Sequence, residues 1–283
     1  MSVEKSEKAY AGRVIGTKKV AGLVQYASDA EALAGYRGDR AINPQNAARA
    51  MQAARMFDNC DIEPCSAKIG GGAATGTAGD ENVLQSGATS YTYHILGTQT
   101  ILAPKLGAAG LDINMDQTDN DGVELVPGTI TSLSRYAFTV GTDATFEFRV
   151  KFSIADVSGT DDCAIGFRKA EAFQAAIDNY DEMAAMNVIS GDIKIETILN
   201  GAATSTTDTT DNWADLATHE LKVRVYKTGA CKFFIDGAAP TATAQFTFDA
   251  GEVVIPFIYF LNATDIAGAV QIQELEVGRY INN

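Results

Sequence analysis

The sequence predicts an all-β protein: an antiparallel β-sandwich preceded by an extended N-terminal region with two short helices. Three observations support this fold class. Apolar and polar residues alternate from Thr145 to Ile154, several similar segments follow, and the chain holds 26 glycines but only 6 prolines. Period-two alternation is typical of half-buried strands, and glycine is favoured in the turns that join them. We therefore expect many short strands joined by glycine turns in the C-terminal half.

The segment from Thr145 to Ile154 is the clearest predicted strand, and its apolar residues should share one face. Further strands are predicted at Ser90–Leu96, Ile193–Thr197, Leu221–Val225, Gln245–Phe248, Val253–Leu261 and Val270–Val277. The nearly uniform apolar character of Val253–Leu261 predicts a strand buried on both faces or one at a subunit contact. In the last strand the alternation changes phase at Gln273–Glu274, which predicts a β-bulge.

One segment interrupts the predicted strands with apolar residues at the spacing of a helix. Between Lys169 and Met186, apolar side chains recur at the three- and four-residue spacing of one helix face, at Phe173, Ile177, Tyr180 and Ala184. This pattern predicts a helix or helical loop that covers one edge of the sandwich.

Two short helices are predicted before residue 60. Ser28 and Glu31 form a capping box, and Gly35 provides the left-handed conformation that ends the helix. Asn43 caps the second helix, with Pro44 in its first turn, where a missing N–H costs nothing.

The predicted domain organisation has three parts. Residues 1–65 form an N-terminal trimerisation or attachment region, residues 66–110 a glycine-rich linker with connector strands, and residues 111–283 the β-sandwich. The glycine-rich stretch lacks the Lys-Ser/Thr that follows the glycines of a phosphate-binding loop, so its composition indicates a flexible linker.

The net charge of the chain limits the classes of partner that it is expected to bind. The formal net charge is −14 and the sequence pI is about 4.5. An acidic chain repels phosphate backbones and anionic lipid headgroups, so we expect no nucleic acid partner and no membrane insertion. The N-terminus lacks the hydrophobic core of a signal peptide, which favours assembly in a cytoplasm.

Cysteine usage agrees with a cytoplasmic origin. Cys60 and Cys65 could be a reduced pair, a disulfide or half of a zinc site, and the sequence does not decide among these. Cys163 and Cys231 lie far apart inside predicted strands, which favours buried or free thiols over a metal site.

The sequence contains few residues in the patterns that catalytic sites require, so we expect a protein that is not an enzyme and has no cofactor. Its only histidines are His94 and His219. Glu274 and Glu276 have the alternate spacing that could place a glycosidase carboxylate pair on one strand face. They lack a third acidic residue and an aromatic platform, so a solvated strand face is the preferred interpretation.

Two polar segments are weaker candidates. Asp116, Asp119 and Asp121 could supply oxygen ligands to Ca²⁺, but the spacing fails the EF-hand pattern, so a polar turn at the entrance to the sandwich is preferred. Thr204–Asn212 is predicted to be a polar hairpin tip, which could present hydroxyl groups to glycans or to a neighbouring protein.

A module near the N-terminus carries the first resemblance. Gly22-Leu-Val-Gln-Tyr-Ala-Ser-Asp-Ala-Glu-Ala-Leu-Ala-Gly35, followed by Arg40-Ala-Ile-Asn-Pro-Gln-Asn-Ala-Ala48, resembles the recurring module of phage tail fibres and related virion proteins. In that family the module lies in trimeric stems, which implies a homotrimer here. About twenty residues precede it, so we expect no sizeable tail-anchoring domain. The resemblance implies trimerisation or attachment roles for Gly22, Val24, Ala27, Glu31, Gly35, Asn43 and Pro44.

The second resemblance lies between Trp213 and Gly237. A strand beginning near His219, a Thr228-Gly229 turn and a strand ending in Asp236-Gly237 are similar to a hairpin of laminin-G and concanavalin-A-like sandwiches. This resemblance implies a jelly-roll or concanavalin-A-like sandwich. More broadly, Leu111–Tyr280 resembles sandwich proteins of marine and freshwater phages.

Together these features predict a non-enzymatic bacteriophage structural protein at the virion surface. The leading hypothesis is a homotrimeric capsid decoration (cement) protein, whose partners are its own copies and the major capsid protein. The alternative is a short tail fibre or tailspike subunit that contacts tail proteins and recognises a host surface glycan. A glycoside hydrolase using Glu274 and Glu276 is a third hypothesis.

Overall fold

The computed structural model describes residues 57–59, 81–86, 89–98, 105–106, 110–114, 118–127, 136–265 and 268–280. The chain divides after Phe57 into two compact units, and the second unit, Asp58–Asn283, holds the sandwich. The two predicted N-terminal helices and the Gly22–Ala48 module lie outside the described residues. Within the described part, no helix has the length and apolar character needed to cross a bilayer.

The described chain is built almost entirely of strands. Their bounds are β1 Phe57–Asn59, β2 Glu81–Ser86, β3 Thr89–Leu96, β4 Lys105–Leu106, β5 Leu111–Asp112, β6 Gly122–Pro127, β7 Phe138–Thr139, β8 Phe146–Ile154, β9 Thr160–Lys169, β10 Met183–Ile189, β11 Asp192–Ile198, β12 Ser205–Asn212, β13 Thr218–Val225, β14 Cys231–Ile235, β15 Val253–Asn262 and β16 Val270–Arg279. Two short 3-10 helices, Val157–Gly159 and Ile177–Asn179, lie in the connections.

The strands form two antiparallel sheets. A seven-stranded sheet has the order β14-β13-β8-β16-β5-β4, with β1 beside β16, and a nine-stranded sheet has the order β12-β11-β10-β9-β15-β6-β3-β2, with β7 beside β15. This arrangement confirms the predicted all-β antiparallel sandwich. The strands β2, β3 and β4, which fall in the segment predicted as linker and connector, take part in these sheets.

The core lies between the facing sides of the two sheets, and aromatic rings join them at its centre. Phe167 of β9 meets Phe146 and Phe148 of β8 edge-on, with ring centroids 5.0 and 6.2 Å apart. Phe138 stacks on Phe146 at 4.4 Å. Because all four rings are almost fully buried, this cluster fixes the packing of one sheet on the other.

Several strand predictions are confirmed. The alternating segment forms β8, and Val253–Leu261 lies in β15, buried on both faces over most of its length. The predicted bulge is present, because the pairing of β16 with β8 shifts register between Ile272 and Glu274. Cys163 in β9 and Cys231 in β14 are buried free thiols, and burial raises the pKa of both.

Of the helix or helical loop predicted between Lys169 and Met186, the helix is wrong, and the segment is a loop with one short 3-10 helix, Ile177–Asn179. β9 continues to Lys169, β10 begins at Met183, and only one 3-10 turn lies between them. The apolar spacing has another cause. Ile177 and Tyr180 contact a sheet face instead of forming a helix stripe, whereas Ala184 belongs to β10.

Two further segments differ from prediction. Gln245–Phe248 forms an isolated bridge from Thr247 to Ala230 instead of a strand. Thr204–Asn212 is not a hairpin tip, because Ser205–Asn212 forms the edge strand β12. Polar, hydroxyl-bearing residues suit such an edge strand, which has strand neighbours on one side only.

The predicted hairpin is present as β13 and β14. After β14, Asp236 and Gly237 both have positive φ, and Ile235 and Ala238 exchange backbone hydrogen bonds across them. The two-residue Asp-Gly turn is therefore confirmed, although only a single bridge follows it. His219 contacts Asp236 through Nδ1 at 2.7 Å and packs edge-on against buried Trp213.

Phe167→Ala should lower the free energy of unfolding by about 3–5 kcal/mol, because it leaves a cavity where the two sheets meet. Urea denaturation measures the change. The matched control is Phe246→Ala, since Phe246 is only partly buried at the margin of the core and should cost distinctly less. Equal costs for the two variants would contradict this placement of the core centre.

Candidate functional site

The nine-stranded sheet has an apolar face on the side turned away from the seven-stranded sheet, here called the outer face. Along β15, Val254, Ile258 and Phe260 point into the core between the sheets. The alternate residues Phe257 and Tyr259 point the other way and are equally buried. Something other than the second sheet must therefore cover the outer face.

The segment Ala170–Asp181, here called the strap, crosses part of this face. Its residues Ile177 and Tyr180 are buried in the same apolar cluster as Phe257 and Tyr259. The Tyr259 hydroxyl donates to the carbonyl oxygen of Ala175 at 2.9 Å. The strap thus replaces solvent on the outer face with apolar side chains and satisfies a buried hydroxyl.

A buried ion pair lies beneath the strap. Arg168 Nε donates to Glu124 Oε1 at 2.6 Å, and both side chains have no exposed surface. Tyr180 donates its hydroxyl to Glu124 Oε2 at 2.8 Å, and the Arg168 guanidinium lies 4.4 Å from the centroid of the Tyr180 ring. Arg168 Nη1 also reaches the carbonyl oxygens of Lys169 and Glu171, where the strap begins.

The electrostatics of this pair favour the ionised arginine. Burial by itself lowers the pKa of Arg168, but the Glu124 charge and hydrogen bond outweigh it and raise the pKa. Burial and the neighbouring Glu124 carboxylate raise the pKa of Tyr180, which keeps its hydroxyl protonated as a donor. The network is therefore a charged anchor for the strap.

Beyond the strap, the same face carries a polar cluster drawn from four adjacent strands. Asn187 of β10 donates from one side-chain nitrogen to Asp162 Oδ1 of β9 at 2.5 Å and to Glu196 Oε2 of β11 at 2.8 Å. Its carbonyl oxygen accepts from the backbone N–H of Cys163. Thr206 of β12 donates to Glu196 Oε1 at 3.3 Å.

The two carboxyl groups of this cluster hold protons more tightly than ordinary ones. Burial is the main cause that raises the pKa of Asp162 to about 7; the Asn187 hydrogen bond lowers it, and the nearby charges of Glu196, Asp161 and Asp178 add to the rise. Burial also raises the pKa of Glu196. Near neutral pH the cluster can thus donate or accept hydrogen bonds, and it forms the candidate site of this face.

Sequence reasoning did not identify this site. The alternation of β11 places Glu196 opposite its apolar residues, but nothing in the sequence reveals that Asp162 and Asn187 lie beside it. The three residues could be recognised as one site only from the pairing of β9, β10 and β11, which places their polar side chains next to each other.

The sequence-predicted carboxylate pair lies elsewhere, on the outer face of the seven-stranded sheet. Arg149 contacts Glu274 at 3.1 Å and Glu276 at 2.8 Å, and Lys151 contacts Glu274 at 3.0 Å. Lys151 and Arg149 lower the pKa of Glu274. These ion pairs are partly exposed, which corresponds to the solvated strand face.

The predicted Ca²⁺ ligands are only partly described. Asp116 lies outside the described residues. Asp119 is exposed and donates its N–H to Asp265, whereas Asp121 is buried and accepts from the N–H of Thr98. Across the described ranges, His, Cys, Asp and Glu form no group of three placed to hold a metal ion.

The predicted trimerisation or attachment residues and the first two cysteines are not among the described residues. Gly22, Val24, Ala27, Glu31, Gly35, Asn43 and Pro44 lie outside the described residues, as do Cys60 and Cys65.

The chain matches no protein family and no curated protein sequence. Among solved structures, it is similar to the metal-free carbohydrate recognition domain of Emp46p, with 9% identity, 68% of this chain and 89% of that one covered, and a TM-score of 0.47. The exoplasmic/lumenal domain of VIP36, in its Ca²⁺/Man3GlcNAc-bound form, matches with 11% identity, 68% and 84% coverage, and a TM-score of 0.46. An alginate lyase from Pseudomonas aeruginosa matches with 11% identity, 62% and 86% coverage, and a TM-score of 0.40. One of these is a carbohydrate recognition domain and another a lyase, so similarity in fold does not assign a function.

Arg168→Met should lower the free energy of unfolding by about 3–5 kcal/mol, because it leaves the Glu124 carboxylate buried without its counter-charge. Adding Glu124→Met should recover a large part of this loss. Lys151→Met is the matched control. Its partner Glu274 is 46% exposed, so losing that ion pair should cost less than about 1 kcal/mol. Urea denaturation of the four proteins tests the comparison, and similar costs for the two single variants would contradict a buried anchor.

Asp162→Asn should remove a specific pH dependence of stability. The pKa of Asp162 is about 7 in the folded protein and near 3.9 in an unfolded chain, so between these values the folded state binds more protons. The contribution of this group to stability therefore falls as pH rises from about 4 to about 7. The difference in unfolding free energy between wild type and Asp162→Asn should change in that direction between pH 5 and 8.

The control for this measurement is Glu274→Gln. Lys151 and Arg149 lower the pKa of Glu274, so this carboxylate is ionised throughout the range in both states. The difference in unfolding free energy between Glu274→Gln and wild type should therefore stay constant with pH. A constant difference for Asp162→Asn as well would contradict the raised pKa.

Proposed function

We propose that the chain is a non-enzymatic surface protein of a bacteriophage particle, a homotrimeric capsid decoration (cement) protein. In this role it reinforces the shell and displays its β-sandwich outward from the particle. The observation that carries the proposal is the Gly22–Ala48 module, whose pattern resembles that of trimeric virion proteins. The partners are other copies of this chain and the major capsid protein.

Two properties of the chain support the proposal. A net charge of −14 favours solubility at the high local concentration of a many-copy surface protein. The ion pairs of Glu274 and Glu276 with Arg149 and Lys151 favour a non-enzymatic role for those carboxylates. A glycosidase acid needs a raised pKa, whereas the pKa of Glu274 is lowered.

The alternative role is a short tail fibre or tailspike subunit that recognises a host surface glycan and contacts tail proteins. The polar cluster of Asp162, Asn187 and Glu196 favours this second candidate. The carboxyl group of Asp162 is partly exposed and is a hydrogen-bonding partner suited to sugar hydroxyls, while the buried Asn187 side chain holds it in place.

Copy number in purified virions tests the proposal. We expect the chain in a number comparable to the major capsid protein, and the isolated protein should have about three times the monomer mass of 29.9 kDa in light scattering. Recovery in only a few copies per particle, with inhibition of phage adsorption by the purified protein, would favour the tail role. A monomer in solution would contradict the trimer.

A further inference from the structure

One corner of the seven-stranded sheet carries an excess of positive charge on its outer face. Strand register places Lys222 directly between Arg149 of β8 and Phe234 of β14, and it places Arg224 directly opposite Lys232. Lys227 lies exposed in the turn that joins β13 and β14. These four cations and one aromatic ring, Lys222, Arg224, Lys227, Lys232 and Phe234, are here called the basic corner.

The arginines near this corner have carboxylate partners within the protein, but the lysines do not. Arg149 pairs with Glu220 and Glu276, and Arg224 pairs with Glu147 at 2.8 Å. Lys222, Lys227 and Lys232 have no carboxylate within ion-pair distance in the described part of the chain. The corner therefore has a local positive excess in a chain whose net charge is −14.

This arrangement works against the stability of the sheet. Like charges directly opposite each other on neighbouring antiparallel strands are destabilising, and Arg224 faces Lys232 in this way. Lys222 likewise faces Arg149. Elsewhere on the same face the register pairs opposite charges, as with Lys151 and Glu274. An anion bound at the corner would remove the repulsion.

The aromatic ring adds a second recognition element. Phe234 is partly exposed, with Lys222 Nζ 4.7 Å and Arg224 Cζ 5.2 Å from its ring centroid. These contacts hold two cationic side chains against the strand surface, which lowers the entropy lost when they bind an anion.

We propose that the basic corner binds the anionic groups of an acidic polysaccharide. Cations at alternate positions of β13 and on the neighbouring β14 suit an extended polymer that carries sulfate, phosphate or carboxylate groups. Addition of a peptide strand is disfavoured, because Cys231 and Ile235 of β14 already donate their N–H groups to Phe246 and Ala238. The inference concerns the sandwich itself and goes beyond the proposed structural role, since it applies to either position on a particle.

Binding of the purified full-length protein to immobilised dextran sulfate tests the inference, with uncharged dextran as the reference polymer. We expect binding to dextran sulfate at about 20 mM salt that weakens strongly at about 200 mM, where charges are screened over a shorter distance. Lys232→Glu should weaken binding on the order of tenfold. Lys194→Glu makes the same charge change on the outer face of the nine-stranded sheet, and its binding should stay within about twofold of wild type.

Equal urea midpoints for these variants and wild type would establish that both are folded. The inference is overturned if wild type does not bind dextran sulfate at low salt, or if the two lysine variants bind alike. Stronger binding to poly-glutamate than to dextran sulfate would also overturn it, in favour of an acidic protein partner. None of these results depends on copy number in virions, so the structural proposal stands or fails separately.

Discussion

The nine-stranded sheet has an apolar inner face and an apolar patch on its outer face, and the need to keep that patch from water explains much of the surrounding structure. The inner face is covered by the seven-stranded sheet. On the outer face, the strap covers Phe257 and Tyr259. The buried Arg168 holds the beginning of the strap, and its partner Glu124 holds Tyr180 near the end of the strap. A charged pair is costly to bury, but it is directional. It fixes where the strap lies more closely than apolar contacts alone would.

The two outer faces of the sandwich consequently differ in character. On the nine-stranded sheet, the strap leaves polar groups concentrated around Asp162, Asn187 and Glu196, within hydrogen-bonding distance of one another. On the seven-stranded sheet, charged side chains, most of them partly exposed, form pairs that follow the strand register. Two different kinds of ligand could therefore be recognised on opposite sides of one domain without competing for the same surface.

The strands were largely predictable because alternation depends only on neighbours in sequence. β8 has a clear alternating pattern because one of its faces is buried, and β15 has a clear continuous apolar pattern because both of its faces are buried. The strap was not predictable, because the spacing of Ile177 and Tyr180 imitates a helix stripe while their true partners lie on distant strands. The candidate site was missed for the same reason. Asp162 and Glu196 are separated by more than thirty residues in sequence and meet only through the pairing of β9, β10 and β11.

The edge strand β12 determines whether the nine-stranded sheets of two copies of this protein can pair along this edge. Part of its free side is already occupied, because Ala242 donates its N–H to the Thr209 carbonyl and Asp211 accepts from the N–H of Thr241. The exposed carboxylate of Asp208 stands on the same strand. An edge that is hydrogen-bonded and charged is a poor template for a strand from another molecule. Densely arrayed sandwiches can therefore stand side by side without their sheets fusing along this edge.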